Sequence, residues 1–105
     1  MARIQSMVTD LMLSSRVSEP LRAAGHEVSG GSEPDPSVDL IVADLDAVDA
    51  AAVAAAGPPT LGFYSHVDVD TRAQALEAGF DKVVPRSRMA RELPDLVAAL
   101  LAEGG

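Results

Sequence analysis

The sequence predicts a single α/β domain, a parallel β-sheet with helices on both faces, and three observations predict it. Residues 38–45, VDLIVADL, form a short apolar run bounded upstream by Gly, Pro and Ser, the pattern of a strand buried on both faces. Four further strand candidates alternate with segments of helical periodicity, which is the βαβ order of a parallel sheet. The 105 residues, 48% hydrophobic but only 3% aromatic, suffice for one aliphatic core and leave no linker that would divide residues 1–105 into two domains.

Taken in order, residues 3–8 are a weak strand candidate, with Ile4, Met7 and Val8 apolar and the polar pair Gln5 and Ser6 inside the run. From residue 11 to 24, Leu13, Val17, Leu21 and Ala24 recur at helical spacing, and Gly25 can end the helix. Pro20 disturbs it: either the helix kinks there, or it starts late, with Ser18 as N-cap. Residues 26–29 are a short strand, and the turn-forming stretch 30–37 reads as loop. After the central strand, Asp46 or Asp49 can cap an Ala-rich helix running to Ala56, which Gly57, Pro58 and Pro59 end. Residues 60–64 form the fourth strand and residues 65–68 a loop. Asp70 or Thr71 then caps a helix to Ala78 with Ala73, Leu76 and Ala75 inward, Gly79 stops it, and Phe80 plugs the core. Residues 82–84 are a fifth strand. The last helix spans about 87–102, with Ser87 as N-cap and Met89, Leu93, Leu96, Val97, Leu100 and Leu101 on its apolar side, and Pro94 marks either an irregular first turn or the start of the regular helix.

The formal charge of -8 gives a surface that repels phosphate backbones and anionic lipid, which argues against nucleic-acid and membrane partners and suits a basic protein surface. The absence of Cys removes thiolate metal sites and cysteine nucleophiles and agrees with a reducing compartment. No apolar run approaches membrane-spanning length and the start lacks the apolar core of a signal peptide, so a cytoplasmic location is expected.

In such sheets ligand-binding groups collect beyond the C-terminal ends of the strands. Asp10, Asp44, Asp46, Ser65, His66, Asp68 and Arg86 all fall there. Asp44 stands out, because an acid in an apolar strand costs free energy to bury unless it is paired, solvated or protonated. It reads either as a functional carboxylate or as a structural acid held by Arg86 or by a loop amide. Asp10 reads as a helix cap or a metal ligand, Ser65 as a strand-closing hydroxyl or an anion sensor, and Arg86 as an anion clamp or Asp44's partner. His66 reads as a loop histidine before a catalytic one, and no nucleophile or acid/base signature marks an enzyme.

The sequence resembles the receiver domain of bacterial response regulators. The resemblance rests on VDLIVADL, on TLGFYSHVDVDTRAQALEAGFDKVV and on LRAAGHEV, and covers nearly the whole chain. It implies a flavodoxin-like three-layer sandwich with strand order 2-1-3-4-5, the second helix of the family being shortened or missing. It also implies Asp44 as the phosphoacceptor equivalent and Ser65 and Arg86 as the switch equivalents; Asp10 and His66, at the same strand ends, are candidate metal or anion contacts. The family's Mg²⁺-holding acidic pair falls on Val8 and Thr9, with Asp10 one position later, so Mg²⁺ is expected weakly if at all, through Asp10 and Asp44. Arg86 and Ser87 replace the lysine-proline step, and Val83 occupies the place of the switch aromatic.

These departures lead to the expectation of a stand-alone pseudo-receiver without enzyme activity, a signalling or scaffolding module in two-component signalling whose partner is a histidine kinase or a downstream effector. The resemblance implies a contact or homodimer face on the last strand and the helices beside it. The alternatives are a phosphorylatable single-domain response regulator using Asp44, or a small-molecule or nucleotide-binding α/β domain.

Overall fold

In a computed structural model of the protein, which describes residues 2–65 and 69–104, five parallel strands form one sheet. The elements follow in the order β1 (Arg3–Met7), α1 (Leu11–Ala23), β2 (Glu27–Ser29), β3 (Leu40–Asp44), α2 (Ala50–Ala54), β4 (Thr60–Tyr64), α3 (Val69–Ala78), β5 (Lys82–Pro85) and α4 (Arg86–Gly104). The sheet order is β2-β1-β3-β4-β5. This is the doubly wound flavodoxin-like arrangement, and β3, predicted as the central strand, is buried at all five residues.

Alternation along the strands sends side chains to two cores. Ile4, Leu40, Val42, Leu61, Phe63 and Val84 pack against α1 and α4, whereas Met7, Ile41, Ala43 and Val83 meet Val53 of α2, Ala75 of α3 and Phe80. The first face is well filled by the aliphatic stripe of α4, from Met89 to Leu100. The second is built from small residues, and Phe80 supplies its bulk. A Cβ added at Gly62 would lie 2.9 Å from two Phe80 ring carbons, so the glycine on β4 is what lets the ring lie on the sheet.

Both helix-interior prolines are tolerated. The helix α1 starts at Leu11, with Asp10 as its cap, and runs through Pro20; Ser18 is buried on it and caps nothing. A helix-interior proline costs about 3 kcal/mol, while burying Leu13, Val17 and Leu21 contributes about 1.5–3 kcal/mol each. Burial therefore wins. The same holds in α4, which begins at Arg86 and continues past Pro94, with Ser87 inside its first turn and not at the cap. Asp49, not Asp46, caps α2, which stops at Ala54. Asp70 lies in the first turn of α3 and Thr71 follows it, so both are inside the helix and neither occupies the N-cap position. Among the described residues of α3 Ala75 is buried, whereas Ala73 is exposed and Leu76 is 39% exposed.

No helix joins β2 to β3, and the loop 30–37 takes its place. Gln5, 2% exposed, holds that loop: its amide nitrogen donates to the Glu33 carbonyl and its amide oxygen accepts the Asp35 N–H, both at 2.7 Å. At the opposite end of the sheet from the predicted site, Asp39 accepts the Arg3 N–H and Asp81 accepts the Thr60 N–H, each at 2.8 Å, so two more acids tie strand starts together.

Candidate functional site

The C-terminal ends of β1, β3, β4 and β5 converge on Asp44. The parallel register puts Asp44 beside Phe63, one residue before Tyr64, which in turn pairs with Pro85 next to Arg86. Asp44 is 7% exposed, and its Oδ1 accepts the Asp46 N–H at 3.0 Å. Its own carbonyl accepts the amides of Ala47 and Val48, which folds the chain into a tight turn after the strand. Burial holds the Asp44 carboxyl above the ordinary aspartate range; the Asp46 amide opposes this, the Asp46 and Asp10 charges add to it, and Arg86 pulls the other way. Loss of water is the largest of these effects, as expected for a carboxylate without a close cation.

Arg86 forms no ion pair with Asp44 within 4.0 Å and is exposed at the start of α4, so of the two structural partners the loop amide is the one that holds the acid. Asp10 is an N-cap: its Oδ1 accepts the amides of Met12 at 2.9 Å and Leu13 at 3.1 Å. That carboxylate lies near enough to Asp44 to disfavour its ionisation, yet it is directed to its own helix. Ser65 is exposed, and its backbone N–H donates to Asp46 Oδ2 at 3.0 Å. His66 and Asp68 lie outside the described residues.

Asp46 is the residue that sequence reasoning undervalued. Read as a cap, it instead links Asp44 to Ser65, giving its amide to the first and its carboxylate to the second. The signal was the spacing Asp44, Leu45, Asp46, which places two acids two residues apart across the end of a buried strand. Val8 packs partly buried against the core and Thr9 is exposed, so the two positions of the family's acidic pair present no carboxylate. Among the described residues no group of three His, Cys, Asp or Glu side chains could hold a metal ion.

Comparison with solved structures gives the same arrangement. The receiver domain of the Francisella response regulator 1452 matches with a TM-score of 0.82 over 100% of both chains, at 13% identity. The fold is that of a response-regulator receiver domain. A response regulator from Burkholderia multivorans matches with a TM-score of 0.68 at 21% identity over 95% of each chain. NtrX from Brucella abortus, solved in complex with ATP, matches with a TM-score of 0.82 at 16% identity; the match covers 98% of this chain but 27% of NtrX. No family model matches the sequence, and no curated protein matches it. Within the receiver fold, Asp44 stands at the end of the central strand, Ser65 just beyond β4 and Arg86 just beyond β5. Among the described residues no helix is long and apolar enough to cross a membrane.

Proposed function

We propose that this receiver domain is a pseudo-receiver, a protein-interaction module of two-component signalling that works without the Mg²⁺-dependent phosphorylation cycle. The observation that carries this reading is the commitment of the site's polar groups to one another. Asp10 caps α1, Asp46 joins Asp44 to Ser65, and Arg86 stays out of contact with Asp44. Phosphoryl transfer to a carboxylate needs cationic neutralisation of the incoming phosphoryl group. Here the charges acting on Asp44 are those of two further carboxylates, Asp46 and Asp10, which repel an anion, and of Arg86, which makes no ion pair with it. The partner is a histidine kinase or an effector, and the face of α3, β5 and α4 is the contact or homodimer surface that the family resemblance implies.

Amide NMR titration of the ¹⁵N-labelled protein with Mg²⁺, then with Mg²⁺ and beryllofluoride as an aspartyl-phosphate mimic, tests the reading. The expected result is no concerted change at millimolar metal. Joint shifts at Asp44, Ser65 and Arg86 that spread into α4 would establish a working phospho-switch and overturn the proposal.

A further inference from the structure

A sheet face that lacks a crossover helix leaves apolar side chains to be covered by something else. Here the loop 30–37 covers only part of that face, and an open groove of about 510 Å³ remains between the loop and α2. Its volume falls within the range of about 300–1,000 Å³ typical of ligand sites. Met7 and Val53, 5% and 1% exposed, form the floor, and Val48, Ala52 and Pro34 line the walls. The groove is held in shape from both sides. Gln5 pins the loop through Glu33 and Asp35, and Asp49 caps α2 by accepting the Ala51 N–H at 3.1 Å.

The charge on the lining has one sign. Its ionisable members are Glu33 and Asp49, both carboxylates, with no Lys or Arg among the lining residues. The whole chain carries -8, so a second copy, a nucleic acid or an anionic lipid surface meets repulsion there. An open groove also leaves much of a small ligand in water, whereas a chain segment can add contacts along the rim. We propose that this groove docks a segment of a protein partner, an apolar side chain entering over Met7 and Val53 with Lys or Arg neighbours facing Glu33 and Asp49. The proposal rests on the reading of the domain as an interaction module, but its test does not depend on the outcome with beryllofluoride.

The probes are three capped hexapeptides: leucines flanked by arginines, the same leucines flanked by glutamates, and the arginine peptide with serines for leucines. With the first, the amides of Met7, Glu33, Val48 and Ala52 are expected to shift; with the other two, affinity falls by roughly tenfold or more. Ala52→Trp, which fills the groove from an exposed position, should abolish the shifts. Glu33→Gln should weaken binding by about threefold without disturbing the fold, since Gln5 is held by the Glu33 backbone carbonyl and not by its side chain. Should Ala52→Trp fail to fold, Glu33→Gln decides. No shift at millimolar peptide, shifts confined to another face, or equal binding of the glutamate-flanked peptide would overturn the proposal.

Discussion

Asp44 sits where a carboxylate is least comfortable, 7% exposed with one backbone donor and no close cation. Because burial raises its pKa, the native state holds its proton to higher pH than the unfolded chain does. Stability is therefore expected to fall as pH rises from about 4, the ordinary aspartate value, through the folded value, and then to stay level with respect to this group. Asp44→Asn keeps the oxygen that accepts the Asp46 amide and removes the charge, so its Tm should exceed that of the wild type at pH 7 by a few degrees. The advantage should shrink towards pH 4; thermal unfolding across that range checks it. A second strained residue is Ser6, 4% exposed, whose Oγ has no hydrogen-bond partner among the described residues. A buried hydroxyl left unpaired costs about 1–3 kcal/mol, so Ser6→Ala should raise the denaturant midpoint, corresponding to about 1 kcal/mol of added stability.

At the scale of elements, two contacts decide how the second face of the sheet is covered. Gly62 and Phe80 are one device: Gly62→Ala places a methyl group 2.9 Å from the ring and 3.0 Å from Leu45, and overpacking of this kind costs about 1–3 kcal/mol. Combining it with Phe80→Leu should cost less than the sum of the two single changes, which a double-mutant cycle of chemical denaturation measures. Gln5 and the loop 30–37 are the other device. Gln5→Leu leaves the Glu33 carbonyl and the Asp35 amide without their partner, a loss of about 1–3 kcal/mol. Hydrogen exchange at Asp35 should speed up far more than exchange in β3.

Across the whole molecule, 16 acidic residues face 8 Lys and Arg, and much of the acid serves the backbone: Asp10, Asp39, Asp49 and Asp81 each accept main-chain amides. The excess negative charge repels itself. Raising sodium chloride from about 20 to about 200 mM shortens the screening length and should lift the Tm by a few degrees, with the larger part of the gain at the low end. A flat or falling Tm over that range would mean that the acids are already neutralised locally.

The parallel sheet and the loop at residues 30–37 were legible in the chain, whereas the strand order came from the resemblance to receiver domains. An apolar run such as residues 38–45 has only one comfortable place in an α/β domain, and a stretch such as 30–37, rich in Gly, Pro and Ser, has no face to bury as a helix. The positions of Asp44, Ser65 and Arg86 at one end of the sheet followed from the same alternation, because every strand of a parallel sheet points its C-terminus the same way. What these residues do to one another was not legible. Whether Asp44 takes Arg86 or a loop amide depends on distances of a few ångströms between residues 42 apart in sequence, and only the tertiary structure decided for the amide. The prolines were likewise settled by packing: local propensity left a kink or a late start open at Pro20 and an irregularity at Pro94, whereas the buried stripes of α1 and α4 carried both helices through. Gln5 looked like a flaw in a strand until the fold brought Glu33 and Asp35 to it. Periodicity records which face a residue occupies, but hydrogen-bond partners across the sheet exist only once the strands are side by side.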